Sequence, residues 1–212
     1  MCARNYKCEE TKRFPPMRVA ISGTHCCGKS TLIDQFLLAH PDFTHEPEPY
    51  TLLEEGYGEV FAAEPSSDDF YRQLEFNLDR LRRYQSGQRV IFERSPVDFL
   101  AYMLALNDVR RGEGTTRLIG RSLGMVMEAI ELLDLIVFLP LNDEDDNVMS
   151  DWEDPELRGA VNRRLEGIFN DDDYNLFTSH SPEVLEAKGS TAQRLRMLES
   201  ALRAQLREGE AG

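Results

Sequence analysis

Residues Gly23 to Ser30 follow the pattern Gly-x-x-x-x-Gly-Lys-Ser, which combines residue types that bind phosphate. The two glycines allow backbone angles that aim successive N–H groups at anionic oxygens. The lysine reaches the β- and γ-phosphates of a nucleoside triphosphate, and the serine offers its hydroxyl to Mg²⁺. The pattern therefore predicts a phosphate-binding P-loop. Its residues are Gly23, Thr24, His25, Cys26, Cys27, Gly28, Lys29 and Ser30, with Thr31 directly after them.

The predicted loop stands between a short apolar run and an amphipathic segment. Residues 18–22 are apolar and partly β-branched, as in a buried strand, whereas residues 30–39 have apolar side chains at helical spacing. A helix that starts at the end of the loop adds its positive N-terminal end to the phosphate site. We expect His25, Cys26 and Cys27, at the variable positions of the pattern, to bind the ligand through their backbones.

Apolar runs alternate with helical patterns along the rest of the chain. Strands alternating with helices favour a parallel sheet that is covered on both faces. We therefore predict an α/β fold, a three-layer αβα sandwich around a mostly five-stranded parallel sheet. The predicted strands are residues 18–22, 43–46, 89–93, 135–139 and 184–187, and the predicted helices are residues 30–39, 67–86, 96–106, 116–133, 155–169 and 191–207.

Length and composition restrict the classes of protein that the chain belongs to. Its 212 residues, 41% of them apolar, suit one folded domain over residues 17–212 after a flexible tail, residues 1–16. The net charge of −14 argues against binding nucleic acid through its phosphates. No apolar run approaches the length of a membrane span, and the first residues lack the apolar centre of a secretory signal. We expect a cytoplasmic protein.

The four cysteines, Cys2, Cys8, Cys26 and Cys27, do not form a disulfide framework, because two of them lie inside the P-loop. Redox control through Cys26 and Cys27 is one alternative role. Zinc binding by all four is another, although their spacing fits no zinc template.

Two longer segments resemble one family. Residues 21–32, which contain the P-loop, and residues 90–102, which contain Glu93-Arg94-Ser95, resemble the NadR-like AAA-type ATP-binding domains. These are P-loop kinases related to nicotinamide riboside kinase domains and, more distantly, to deoxynucleoside and thymidylate kinases. The resemblance covers most of residues 18–198. It implies a kinase-like P-loop NTPase fold with a small lid at about residues 142–164, and ATP rather than GTP as the nucleotide.

The resemblance also implies roles for single residues near the nucleotide. Glu48, in Pro47-Glu48-Pro49, matches the glutamate that takes the proton of the acceptor hydroxyl, with Glu46 as the fallback. Arg94 and the lid residue Arg158 match arginines that stabilise the transferring phosphoryl group. Glu93 matches the acidic residue that supports Mg²⁺ beside Ser30. A local alternative remains for the segment after Arg94, because Ser-Pro-x-Asp at residues 95–98 also starts a helix.

Further residues are assigned to the acceptor and to adenine. Gln73 and Arg80 match the spacing of a glutamine and an arginine that hold the substrate base, but an ordinary amphipathic helix explains them equally well. Arg194 lies where these kinases pack the adenine, although Ser190 and Gln193 also fit a capping box. The acidic residues 143–146 differ from the Arg-rich lid of deoxynucleoside kinases.

We therefore predict an ATP-binding protein that transfers the γ-phosphate of ATP, with Mg²⁺, to a hydroxyl of a nucleoside-like small molecule. An alternative is a nucleotide-dependent regulatory switch that acts through a protein partner, for which the acidic loops are the contact surfaces. A third candidate, a kinase-like effector that acts on an activated sugar or on RNA ends, has no specific support beyond the P-loop.

Overall fold

The structure is a computed structural model, and it describes residues 14, 16–61, 64–84, 87–110, 115–142 and 154–209, with only the backbone at residues 110, 115 and 206–209. Within these ranges it has five strands and seven helices. The strands are β1 (Met17–Ser22), β2 (Thr44–Glu46), β3 (Arg89–Glu93), β4 (Leu135–Phe138) and β5 (Glu183–Glu186). The helices are α1 (Lys29–Ala39), α2 (Pro49–Tyr57), α3 (Ser67–Arg83), α4 (Pro96–Arg110), α5 (Thr115–Glu131), α6 (Pro155–Asp171) and α7 (Thr191–Gly209).

All five strands pair in parallel, in the order β2-β3-β1-β4-β5. The predicted five-stranded parallel sheet is therefore confirmed. Ile21 pairs with both Glu93 and Val137, so the carboxyl ends of the three central strands meet at one edge of the sheet. β2 and β3 lie on one side of β1, and β4 and β5, which come later in the chain, lie on the other side. In open α/β sheets, ligands bind at such a point where the strand order reverses.

Helices cover both faces of the sheet, which gives three layers. Ala20 of β1 contributes to a buried cluster on the face covered by α3, α4, α5 and α6. Its neighbours Val19 and Ile21 belong to a second cluster on the opposite face, with Phe36 of α1 and Leu198 of α7. The alternation follows from the period of two along a strand, because successive side chains point to opposite faces.

The sequence analysis did not predict α2. This helix starts at Pro49, whose fixed φ suits a first helical position, and it ends at Gly58, which has a φ of +68°. Few of its side chains are buried, among them Leu53, so the apolar periodicity that identifies longer helices is weak. The consequence for the site is that Glu48 is the N-cap residue of a helix rather than part of an irregular turn.

Two predicted segments differ from the described structure or lie outside it. Phe14 falls in the predicted tail, yet it is buried against His40 and Phe43, with ring centroids 4.8 and 6.3 Å away. Phe14 therefore packs against the domain, although it lies within the predicted flexible tail. Residues 143–153 of the predicted lid lie outside the described residues, and residues 155–164 form the first part of α6. Within the described ranges, no helix has the length and apolar character needed to cross a bilayer.

Candidate active site

The P-loop wraps tightly between β1 and α1. Gly28 has a φ of +88° and Gly23 has a φ of +152°, and residues other than glycine rarely adopt such angles. A Cβ atom at Gly23 would lie 2.5 Å from the Cys27 Sγ and 2.8 Å from the Leu139 carbonyl oxygen. Cys26 also has a positive φ, +51°. The backbone thus forms a concave loop of the kind that binds anions through its N–H groups, and no side chain fits at Gly23.

Cationic side chains bind five successive carbonyl oxygens of this loop. We call this arrangement the carbonyl array. Its hydrogen bonds run from Arg94 Nη1 to Gly23 (3.3 Å), Lys29 Nζ to Thr24 (2.7 Å), Arg158 Nε to His25 (3.1 Å), Arg158 Nη2 to Cys26 (3.4 Å) and Arg194 Nη1 to Cys27 (2.6 Å). Because the donors are charged, the bonds are stronger than neutral ones. The array compensates the negative ends of the peptide dipoles, so the loop attracts an anion more strongly.

Asp98, in the first turn of α4, supports the base of the loop. Its Oδ1 accepts hydrogen bonds from Ser22 Oγ and from the Gly23 N–H, both at 2.9 Å, and its Oδ2 accepts from the Ser95 N–H at 2.5 Å. The residue is fully buried. Burial raises the pKa of the Asp98 carboxyl, against the opposite influence of Arg94 and Lys29. The carboxylate joins the end of β1, the loop and the start of α4.

Arg94 and Glu48 form an ion pair beside the loop. Arg94 Nε donates to Glu48 Oε1, and the exposed fractions of the two side chains are 2% and 21%. Burial raises the pKa of Glu48, but Arg94 and then Lys29 outweigh it and hold that pKa below its usual range. Burial likewise lowers the pKa of Arg94, and Glu48 reverses the effect. Both side chains are therefore charged at neutral pH.

Arg94 is fixed by several other contacts. Its backbone has a φ of +78°, and its N–H donates to the Ile21 carbonyl oxygen at 3.0 Å. Its guanidinium lies 5.1 Å above the Tyr102 ring and donates to His25 Nδ1 at 3.3 Å. Loss of water around the ring, and then the charge of Arg94, lower the pKa of His25 to about 3. His25 is therefore neutral and accepts this hydrogen bond at physiological pH.

A second carboxylate lies at the mouth of the loop. Ser30 Oγ donates to Glu93 Oε1 at 2.7 Å, and His45 Nε2 lies 3.8 Å from Glu93 Oε2. Hydroxyl and carboxylate oxygens are the ligands that Mg²⁺ prefers. Both residues line the same cavity as Lys29, so their position and chemistry fit a magnesium ion beside bound phosphates.

The polar side of α3 meets the end of β2. Arg80 binds both carboxylate oxygens of Glu46, and the Tyr84 hydroxyl donates to the same carboxylate. Burial, and then Glu46, raise the pKa of Tyr84 to about 12. Gln73 and Asn77, earlier on the helix, are buried. Both candidate bases are paired with an arginine, but Glu48 lines the cavity over the P-loop and Glu46 does not, so Glu48 is the better placed of the two.

One cavity of about 510 Å³ opens over the P-loop. It brings together Lys29, Ser30, Glu48, Glu93 and Arg94, which the sequence analysis had assigned to one site. Arg158, Gln73 and Arg80 are not among its lining residues. The lining residues are His25, Cys26, Gly28, Lys29, Ser30, Thr31, Glu48, Glu93, Arg94, Asn142, Gly189, Ser190, Thr191 and Arg194.

A family model described as an AAA domain matches residues 18–194, which is most of the chain. The chain belongs to this AAA domain family. The match confirms the resemblance that the P-loop and the Glu93-Arg94-Ser95 segment indicated. No curated protein matches the sequence.

Solved structures with the same fold include three nucleotide-related proteins. Thymidylate kinase from Candida albicans covers 90% of this AAA domain chain and 92% of its own, at 16% identity and a TM-score of 0.62. The match to deoxyadenosine kinase from M. mycoides with bound dATP covers 88% of this chain and 100% of the kinase, at 17% identity and a TM-score of 0.66. The match to the NadR protein in complex with NAD and AMP-PNP covers 86% of this chain and 48% of the NadR chain, at 15% identity and a TM-score of 0.56. The AAA domain thus has the P-loop kinase fold.

Two features of the site in this AAA domain were missed by sequence reasoning. Asp98 was interpreted as a helix-start residue, and the pattern Ser-Pro-x-Asp contains no signal for its second role under the loop. The carbonyl array was not expected either. Arg158 and Arg194 were assigned to phosphate and adenine, whereas both donate to loop carbonyl oxygens in this structure.

We predict that Arg158→Ala weakens nucleotide binding about tenfold or more, because two charge-assisted hydrogen bonds to the loop are lost. Titration calorimetry with a non-hydrolysable ATP analogue measures the effect. Arg163→Ala, an exposed arginine of the same helix, is the matched control and should bind normally. If Arg158→Ala binds the analogue like the wild type and loses turnover instead, Arg158 acts on the phosphoryl group as the resemblance implied.

Proposed function

We propose that the protein is a Mg²⁺-dependent small-molecule kinase that transfers the γ-phosphate of ATP to a hydroxyl of a nucleoside-like acceptor. The observation that carries this proposal is the ion pair of Glu48 and Arg94 in the P-loop cavity. A switch that only binds and hydrolyses a nucleotide has no acceptor hydroxyl to deprotonate. It therefore does not need an ionised carboxylate beside a buried arginine in the nucleotide cavity.

Lys29 and Arg94 serve the phosphates of ATP in this proposal. Lys29 exchanges the Thr24 carbonyl oxygen for phosphate oxygens, which carry more negative charge. Arg94 turns part of its guanidinium from Glu48 to the transferring phosphoryl group. Charge spreads over the oxygens of that group in the transition state, so these two cations stabilise the transition state more than the ground state.

Glu48 acts on the acceptor. An alcohol must lose its proton as its oxygen bonds to phosphorus, and a carboxylate within hydrogen-bond reach can take that proton. Release of Glu48 from Arg94 frees the oxygen atom that accepts it. The exchange couples arrival of the phosphates to activation of the base, since the same arginine serves both.

Ser30 and Glu93 are the residues that would hold Mg²⁺, on the basis of their oxygen donors and their place in the cavity. When bound there, the metal would neutralise negative charge on the phosphates. Thr191 and Arg194 line the same cavity at the start of α7, and we propose that the adenine binds there.

Two kinds of observation support a kinase over other P-loop proteins. Solved structures named as thymidylate kinase and deoxyadenosine kinase share the fold over nearly their whole length. The Glu48–Arg94 pair lies at the carboxyl edge of the sheet next to the P-loop.

We further propose that residues 17–212 form one domain, with a lid in the region of residues 142–164.

We predict that the purified protein with ATP and Mg²⁺ phosphorylates at least one member of a panel of nucleosides, deoxynucleosides, nicotinamide riboside and nucleoside monophosphates. Mass spectrometry detects the product and the release of ADP. Lys29→Ala is the blank, because loss of the lysine removes the main contact to the β- and γ-phosphates. ATP binding without any phosphorylated product would contradict the kinase and favour the regulatory switch.

A further inference from the structure

Residues from three elements meet at the proposed magnesium site. Ser30 lies in the first turn of α1, Glu93 ends β3, and His45 lies in the neighbouring strand β2. His45 pairs with Ile91, and Glu93 comes two positions after Ile91, so the His45 and Glu93 side chains point to the same face of the sheet. Ile91 belongs to the buried cluster on the face that α1 and α7 cover. Ser30 approaches Glu93 from that face as well.

The two carboxylate oxygens of Glu93 face different partners. Oε1 accepts from Ser30 Oγ at 2.7 Å, whereas Oε2 lies 3.8 Å from His45 Nε2. The second distance is too long for a hydrogen bond, which needs about 2.7–3.2 Å between nitrogen and oxygen. Only 12% of the Glu93 side chain is exposed, so protein groups surround most of this carboxylate and determine its orientation.

The Nε2 atom of His45 is buried without making a hydrogen bond. Among the residues that the structure describes, no group lies within hydrogen-bond range of this atom. A buried polar atom in that state is costly, so its position needs a physical reason. The short gap to Glu93 provides one, because an approach of about 1 Å brings Nε2 within hydrogen-bond range of Oε2.

We infer that His45 is a positioning residue of the magnesium site: its Nε2–H group donates to Glu93 Oε2 in the complex with Mg²⁺ and nucleotide, and thereby holds Oε1 at Ser30. The neutral tautomer with a proton on Nε2 and the imidazolium both carry this N–H group, so the role needs no change of protonation. His45 does not line the cavity, and it acts through Glu93, which does. The inference rests on the proposed metal role of Ser30 and Glu93 and extends it by one residue.

The contribution of the metal to nucleotide binding is the direct measure of this role. Calorimetry with a non-hydrolysable ATP analogue gives its affinity with saturating Mg²⁺ and again in EDTA, and the ratio of the two affinities reports the metal. His45→Phe keeps a ring and removes the donor, so we expect the ratio to fall about tenfold or more while the affinity in EDTA stays unchanged. His45→Gln should restore most of the ratio, because its amide carries N–H groups. Thr44→Ala, an exposed residue of the same strand, is the matched control and should behave like the wild type.

Glu93→Gln separates this inference from the proposed function. If Glu93→Gln lowers the ratio and His45→Phe does not, the role of His45 is wrong and the metal site stands. If neither substitution lowers it, the metal role of Glu93 fails, and the inference fails with it. A fall in affinity that is the same in Mg²⁺ and in EDTA would mean that His45 only supports the fold, which also overturns the inference.

Nuclear magnetic resonance tests the hydrogen bond in the wild-type protein, and it remains decisive if His45→Phe does not fold. The chain has four histidines, so in protein labelled with ¹⁵N-histidine the His45 signal is the one that is missing from His45→Gln. We expect the Nε2–H proton to move downfield and to exchange more slowly with water when Mg²⁺ and the analogue are added, because a charge-assisted hydrogen bond to the carboxylate forms. An unchanged or absent Nε2–H signal in the complex contradicts the positioning role.

Discussion

Glu48→Gln is expected to lower the rate of phosphoryl transfer by about 10²- to 10⁴-fold, because the variant lacks the base that takes the acceptor proton. The Gln Oε1 atom still accepts from Arg94 Nε, so the side chain keeps its place beside α2. Affinity for ATP should stay close to that of the wild type. Single-turnover kinetics at saturating ATP and Mg²⁺ measure the rate, and thermal unfolding shows whether the buried Arg94 tolerates the lost charge.

Glu55→Gln is the matched control, since it removes an exposed carboxylate from the same helix. The pH dependence provides an independent check. The pKa of Glu48 lies below its ordinary value of 4.5, so the carboxylate is ionised at all higher pH and is protonated only below that value. The ratio kcat/KM for the acceptor should therefore be flat between about pH 8 and 5. An acid limb near pH 6.5 would identify another group as the base.

Asp98→Ala is expected to lower the free energy of unfolding by about 3 kcal/mol or more, because three buried hydrogen-bond donors lose their partner. Nucleotide binding should fall with it, since one of those donors is the Gly23 N–H at the start of the P-loop. Urea denaturation followed by circular dichroism measures the stability, and calorimetry with an ATP analogue measures the binding.

Asp69→Ala is an instructive control for this effect. Asp69 occupies the same helix position in α3, where its carboxylate accepts from the Ser66 backbone and hydroxyl in a capping box. Within the described part of the chain, its hydrogen bonds run to Ser66 and not to the P-loop. Losing such a cap costs about 1 kcal/mol. Equal destabilisation by the two substitutions would mean that Asp98 is only a helix cap.

The architecture was predictable because it depends on local patterns. The predicted strand 89–93 coincides with β3, whose three central side chains are all buried. Continuous apolar runs of that length, bounded by polar residues, are typical of strands covered on both faces. The P-loop was predictable for a related reason: its chemistry needs fixed residue types at fixed spacing, so it leaves a pattern in eight consecutive positions.

Much of the site depends on contacts that leave no such pattern. Arg158 is 133 positions from His25, and Arg194 is 167 positions from Cys27, so only the packing of α6 and α7 brings them to the loop. The pairing of Arg80 with Glu46 likewise depends on how α3 lies against β2. Sequence reasoning selected these arginines from a resemblance, but it had no means to find the carbonyl oxygens and carboxylates that they bind.

Phe14 determines how far the chain can be shortened for expression. Its ring packs on His40 and Phe43, in the buried cluster on the face of the sheet that α1 and α7 cover. A truncated protein that starts at Met17 would leave these aromatic rings in contact with water, and exposed apolar patches promote self-association. A truncation that ends before Phe14 removes charged residues at positions 9, 10, 12 and 13 and keeps the aromatic contact intact.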